Sequence, residues 1–218
     1  MLVELGQVHK SYGSSDVLKG IDLSITANNH LVIQGASGSG KSTLLYILGA
    51  LEAADRGSVK IDGQDLARLN DEQLSQIRNQ FIGFVFQFHF LLPSMRCMQN
   101  ILLPAKIAGQ NAGDIEKKTR EYAQALNVTH CLDKYPYQIS GGEQQRINII
   151  RAVSLNPSLI LCDEPTGNLD SKNTSLVISM LKELAAQINS TLVVVTHDNS
   201  VAAQFQDKIT IEDGQIIG

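Results

Sequence analysis

The sequence predicts an α/β fold, and three observations carry that prediction. Gly35-Ala36-Ser37-Gly38-Ser39-Gly40-Lys41-Ser42-Thr43 fits the pattern G-x-x-x-x-G-K-[ST]. It lies between a short apolar run, His30 to Gln34, and the start of an apolar helix, Ser42 to Gly49, which is the strand–loop–helix setting the pattern needs. Further short apolar runs, Ile82 to Phe86, Ser158 to Cys162 and Thr191 to Val195, read as buried strands, and the last two lead directly into ionisable residues. A mainly helical stretch from about Leu66 to Leu132 separates the strand-bearing parts. Open sheets of this class bind ligands beyond the carboxyl ends of their strands.

In chain order, Leu2 to Val8 and Leu18 to Ile25 alternate apolar and polar residues, as half-exposed strands do. Lys10 to Ser15 between them reads as a turn-rich loop. Two readings stand for its Tyr12: a ring that stacks on a planar heterocycle such as adenine, or a cover over a strand end. After the glycine loop and its helix, Ser58 to Ile61 is a short strand and Asp71 to Asn79 a helix. The strand Ile82 to Phe86 ends at Gln87. Phe88-His89-Phe90-Leu91-Leu92-Pro93-Ser94-Met95 follows, an apolar segment that Pro93 keeps out of regular structure. Such a segment either packs within its own subdomain or docks a partner. Met98 to Ala108 and Asp114 to Leu126 are helical by spacing, with a break at Gly109 to Gly113, and Tyr135-Pro136-Tyr137 closes the insertion. The last strand is Lys208 to Ile211, followed by a turn at Glu212-Asp213-Gly214.

The chemistry follows from where the polar residues fall. Glycines 35, 38 and 40 let successive backbone N–H groups converge on one anion, and the free N–H groups of the next helix add positive potential there. Lys41 is placed to reach the β- and γ-phosphates of a nucleotide, and the Ser42 hydroxyl to bind Mg²⁺. Ser140-Gly141-Gly142-Glu143 opens a second helix. Ser140 and Glu143 form a capping box, but two glycines in a first turn cost up to about 1 kcal/mol each. Their presence suits close approach of a second phosphate. Asp163 and Glu164 stand at the end of one strand and point to opposite faces. Asp163 is placed to approach Mg²⁺ through its water shell, and Glu164 to polarise an attacking water. His197 ends another strand, either to hydrogen-bond a γ-phosphate or as a structural residue.

Composition narrows the class. The chain has 218 residues, 43% apolar and 18% charged, enough for one large domain with a sizeable core. A net charge of −4 gives no electrostatic footprint for nucleic acid. Three cysteines at 97, 131 and 162 have no metal-ligand spacing, and an odd number argues against a disulfide framework. No apolar run approaches the ~18 residues of a membrane span, and no signal peptide is evident. The default expectation is a soluble, cytoplasmic chain.

Taken together, the motifs and their order resemble the nucleotide-binding subunits of ATP-binding cassette transporters over essentially the whole chain. The resemblance implies a P-loop NTPase core of that type, with an antiparallel β subdomain and a helical subdomain at about 66–155, in one domain spanning 1–218. It implies ATP and Mg²⁺ as ligands, with Tyr12 on the adenine and Gly35 to Thr43 around the phosphates. Ser140 to Glu143, preceded by Ile139, matches the family's signature motif. Gln87 matches the glutamine that senses Mg²⁺ and the attacking water, Glu164 the catalytic glutamate, Asp170 the D-loop aspartate and His197 the switch histidine. Two copies would then bury two ATP molecules, each between one chain's phosphate loop and the other's signature motif. Phe86 to His89, Leu91 to Pro93 and Pro165 to Asp170 look like the lipoprotein-releasing and macrolide-exporting group. That group implies integral membrane permease subunits docking near Phe88 to Met95, at the cytoplasmic face of the inner membrane. Ile139 and Glu143 replace the usual Leu and Gln, Arg96-Cys97-Met98-Gln99 replaces a Thr-Ala-Leu-Glu capping box, and Asn148 and Ile150 replace small residues. Arg96 cannot cap its helix, which predicts a start weaker by roughly 1 kcal/mol unless Ser94 substitutes. The alternatives to a transport motor are a regulatory ATPase that signals through a membrane partner, and a soluble ATPase acting on DNA or ribosomes. The acidic charge disfavours the latter.

Overall fold

Two sheets share the apolar sequence of this chain, and each is explained by its burial pattern. In the computed structural model, which describes residues 1–167 and 171–217, the first sheet is antiparallel and half-exposed. Its strands are β1 (Val3–Tyr12), β2 (Ser15–Ile25), β4 (Arg56–Ile61) and β5 (Gln64–Asp65), in the order β2-β1-β4-β5. The second contains β3 (His30–Gln34), β6 (Ile82–Val85), β7 (Leu159–Asp163), β8 (Thr191–Thr196), β9 (Asp207–Glu212) and β10 (Gln215–Ile216). Its order is β10-β9-β3-β8-β7-β6, parallel from β9 to β6, with β10 folded back antiparallel on β9. Every residue of β7 and β8 is buried, so these strands read as continuous apolar runs rather than alternating ones.

Register brings the functional strand ends to one edge. Gln34 pairs with Thr196, Asp163 with Val195, and Val85 with Cys162, so β3, β8, β7 and β6 finish side by side. Helix α1 (Lys41–Leu48) packs its buried face of Leu44, Leu45, Ile47 and Leu48 in the core between the sheets. On the other face, α3 (Cys97–Ile107), α4 (Ala112–Ala125), α5 (Gly141–Val153) and α6 (Ser171–Gln187) share a second core with inward residues of the parallel sheet. The short helices α2 (Asp71–Gln76) and α7 (Asn199–Ala202) complete the set.

Several expectations change. Lys10 to Ser15 is not a loop: β1 continues to Tyr12, which pairs with Ser15, and the turn is only Gly13-Ser14. Ser11 secures it, donating its N–H to Asp55 at 2.7 Å and its hydroxyl to Asp16 at 2.7 Å. Bulges between Leu5 and Val8, and again before Ser11, break the period-two alternation that placed the strand end at Val8. The helix at Asp71 stops at Gln76 and passes into a π-turn over Ile77–Phe81. Within the segment 66–155, Ile82–Val85 belongs to the core parallel sheet rather than to the helices.

Arg96 is the N-cap of α3, and among the described residues no side chain accepts a hydrogen bond there from the first-turn N–H groups. Gln99 supplies the reciprocal half of a cap, its Oε1 accepting the Arg96 N–H at 2.9 Å. The fully buried Asn100 gathers the preceding loop. It accepts the Leu92 N–H at 2.7 Å and donates to the carbonyls of Leu92, Met95 and Arg96.

Candidate active site

The loop between β3 and α1 turns sharply through glycines. Gly38 and Gly40 have φ of 80° and 104°, and a Cβ on Gly35 would lie 2.2 Å from the Ile211 carbonyl oxygen. No larger residue fits at 35 without moving β9. Lys41 is buried, and its Nζ donates to the Ala36 carbonyl at 2.7 Å, so the ammonium lies back across the loop. Burial lowers its pKa, while Glu164 and Asp163 act to raise it. The Ser39 hydroxyl oxygen is buried with no hydrogen-bond partner among the described residues.

Ser42 and Tyr46 lie four residues apart on α1 and so share one face. Both grip the carboxylate of Asp163: Ser42 donates to Oδ1 at 2.9 Å and Tyr46 to Oδ2 at 2.9 Å. Burial and the neighbouring carboxylate push the Tyr46 phenol up to about 12, so it remains a donor. The sequence reading missed Tyr46, although its spacing from Ser42 was a usable signal. The next residue, Glu164, has a left-handed backbone with φ 45°, uncommon for a residue carrying a side chain. That twist turns its carboxylate toward β8. There Oε1 accepts the His197 backbone N–H at 2.9 Å and contacts His197 Nδ1 at 2.6 Å, and Oε2 accepts the Thr196 hydroxyl at 2.9 Å. A cavity of about 440 Å³ opens beside them, lined by Thr166, Gly167, Thr174 and Asp198 as well as Glu164 and His197.

Gln87 lies two residues beyond β6 and packs over Gly167, where a Cβ would come within 2.8 Å of its Nε2. Tyr12 ends β1 with its ring about half exposed and Lys10 Nζ 5.4 Å from the ring centroid. Ser140 to Glu143 form the predicted capping box on α5. Glu143 Oε2 accepts both the Ser140 N–H and its hydroxyl at 2.7 Å, while Oε1 meets His130 Nε2 at 2.7 Å. The Ser140 donors, followed by His130, hold the Glu143 carboxyl down at about 2. Among the described residues no hydrogen bond joins Ser140–Glu143 to Gly35–Thr43. Asp170 lies outside the described residues.

Two places offer metal ligands. His130, Cys131 and Glu143 bring one ligand atom each within 4.8 Å of one another. Burial and nearby Glu143 push the Cys131 thiol up to about 12, and the imidazole and carboxylate already bond directly, so this cluster is a hydrogen-bonded cap of α5. Ser42 Oγ and Asp163 Oδ1 form an all-oxygen pair beside the glycine loop. Hard oxygen donors of this kind fit Mg²⁺, and the unpartnered Ser39 hydroxyl in the glycine loop fits a polyphosphate.

Comparison with known proteins agrees with this geometry. Residues 18–167 match the family model described as ABC transporter. A lipoprotein-releasing system ATP-binding protein LolD from Cytophaga hutchinsonii is 43% identical over 216 residues, covering 99% of each chain. The protein of the same name from Geobacter metallireducens is 42% identical over 220 residues, covering 99% of this chain and 98% of its own. Among solved structures, a dimeric bacterial ABC transporter cassette, MJ0796, superposes with a TM-score of 0.91 at 38% identity, covering 99% of this chain and 97% of that one. A dimeric post-hydrolysis state of the same cassette, bound to ADP and Pi, gives a TM-score of 0.90.

Proposed function

We propose a function from one premise: this chain belongs to the ABC transporter family and is an ATP-binding, ATP-hydrolysing subunit. Our reading is that it drives a lipoprotein-releasing type of exporter from the cytoplasmic face of the inner membrane. Two copies would close around two ATP molecules, and integral membrane permease subunits would dock near Phe88 to Met95. The names of the relatives in Cytophaga and Geobacter support the transporter type. Among the described residues no helix is long and apolar enough to cross a membrane, so a membrane-spanning partner would supply the passage. Phe88 and Phe90 are 66% and 64% exposed, as a docking surface requires.

The observation that carries the chemistry is the convergence of Lys41, the Ser42–Asp163 pair and the Glu164–His197 pair at one sheet edge. Gly35 to Thr43 would wrap the phosphates in backbone N–H groups, with Lys41 exchanging the Ala36 carbonyl for phosphate oxygen. Ser42, Asp163 and Gln87 would hold Mg²⁺, with Asp163 acting through water. When bound, that ion would neutralise charge developing on the β- and γ-phosphoryl oxygens. Glu164 would accept the proton of the attacking water. Thr196 and His197 fix the carboxylate, so base and phosphate loop keep a set geometry without closing solvent reorganisation. The D-loop aspartate Asp170 and the half-exposed Tyr12 would complete contacts to the partner copy and the adenine. Ser140, Gly141, Gly142 and Glu143 would meet the partner's γ-phosphate, in keeping with the absence, among the described residues, of a hydrogen bond between them and their own phosphate loop.

Replacing Glu164 by Gln tests the assignment. The variant is expected to bind ATP with near-normal affinity while turnover falls by about 10²-fold or more. Steady-state hydrolysis at the parent rate would remove Glu164 as the base.

A further inference from the structure

Two buried polar residues on α5 and a half-buried arginine form a hydrogen-bonded series that the phosphate chemistry does not use. Gln145, Asn148 and Arg151 are spaced three apart, on one face of the helix and about 9 Å from end to end. Gln145 and Asn148 are essentially inaccessible to solvent. At one end, Arg151 donates to the carbonyls of His89 at 2.7 Å and Phe90 at 2.8 Å. In the middle, Arg151 donates to Asn148 Oδ1 at 2.8 Å, and Asn148 Nδ2 donates to the Phe86 carbonyl at 3.3 Å and lies 3.5 Å from Gln145 Oε1. At the other end, Gln145 Nε2 donates to the Pro165 carbonyl at 2.6 Å, one residue past Glu164.

Arg151 makes the series unusual. It is half-buried and makes no ion pair among the described residues, and the desolvation pulls its pKa down to about 10. A partly desolvated charge without a counter-ion is costly unless its donors are filled, and here the acceptors include two backbone carbonyls of one exposed segment. That segment is otherwise constrained. Phe90 has a left-handed backbone with φ 47°; Phe84 stacks on Phe86 with centroids 5.1 Å apart, and Phe90 meets Phe86 edge-to-face at 5.2 Å. Carbonyls held this way cannot shift without disturbing Arg151.

We propose that Gln145, Asn148 and Arg151 are positioning residues through which the Phe86–Phe90 segment sets the placement of the Glu164–Pro165 turn, and with it the rate of ATP hydrolysis. The proposal rests on Glu164 as the base, which the Glu164→Gln variant tests separately. A partner pressing on Phe88 or Phe90 would move the carbonyls that Arg151 holds, and the series would pass that displacement along α5 to Pro165.

Asn148→Ala removes the middle of the series while favouring helix, so the variant should fold, and Asn148→Ser serves as its check. The expected result is a fall in kcat of about tenfold with KM for ATP within about twofold, because a displaced base slows the chemical step more than binding. The double variant Asn148→Ala/Arg151→Lys should be no slower than the slower single variant, since both break one series. A fluorophore on a cysteine introduced at Phe88 reads the link directly, because Cys97, Cys131 and Cys162 are all buried. With the series intact, its emission should change when ATP binds, and Asn148→Ala should abolish that change while ATP still binds. Parent kcat in both Asn148 variants, single-variant effects that multiply, or a persisting probe response in Asn148→Ala would each overturn the proposal.

Discussion

At the scale of single residues, the site is organised by pairs that hold each other ready. Asp163 has one oxygen on Ser42 and the other on Tyr46, so the tyrosine fixes the acid proposed to hold Mg²⁺. Tyr46→Phe removes one of these contacts. Outer-shell contacts of this kind commonly carry 10- to 100-fold in metal affinity. The variant should therefore raise the Mg²⁺ concentration for half-maximal ATP turnover by about tenfold, read from a Mg²⁺ titration of hydrolysis. Glu143 gives a pH-dependent case. Its folded pKa lies near 2, below the ordinary 4.5, so it stabilises the fold above pH 4.5 and loses that contribution as the pH falls toward 2. Thermal melts at pH 7 and pH 3 should show a larger drop in Tm for the parent chain than for Glu143→Gln. Sequence reasoning reached Lys41, Ser42, Asp163, Glu164 and the Ser140–Glu143 box because each sits at a strand end or helix start. Tyr46, Asn100 and Arg151 escaped it. Tyr46 and Arg151 meet partners 117 and 62 residues away that only the packed fold brings near, and Asn100 binds a loop eight residues back that carries no regular pattern.

At the scale of elements, the parallel strands and long helices were legible, and their ends were not. β7 and β8 are buried on both faces, so their apolar runs declare them directly. β1 runs four residues past its predicted end because bulges disturb its alternation, and Tyr12 is a strand residue as a result. β10 pairs for only two residues, too few to leave a periodic trace. The π-turn after α2 likewise has no pattern that separates it from α-helix. The contact between β6 and the end of α5 yields a test of packing. A Cβ on Gly83 would stand 2.3 Å from the Ala152 carbonyl oxygen and 3.0 Å from the Pro157 ring. Gly83→Ala must separate strand from helix, at about 1–3 kcal/mol for overpacking of this kind. A chain of this length then loses about 2–4 °C of Tm per kcal/mol, which differential scanning calorimetry can resolve.

For the whole molecule, the arrangement makes sense only as half of a site. Lys41, the Ser42–Asp163 pair and the Glu164–His197 pair lie at one sheet edge, whereas Ser140 to Glu143 bond to one another and to His130. If the Ser140–Glu143 helix start binds phosphate, the absence of any hydrogen bond from it to Gly35–Thr43 among the described residues fits a second copy carrying its own nucleotide. The related cassette MJ0796 has been solved as a dimer, which supports the same arrangement here. If ATP acts as the bridge, the assembly should depend on nucleotide and should last longest when hydrolysis is blocked. The direct measurement is sedimentation equilibrium of the Glu164→Gln chain with and without Mg²⁺-ATP, counting bound nucleotide in the same samples. The account predicts a monomer without nucleotide, and with ATP a dimer holding one ATP per chain. A chain that saturates with ATP and still sediments as a monomer would contradict it.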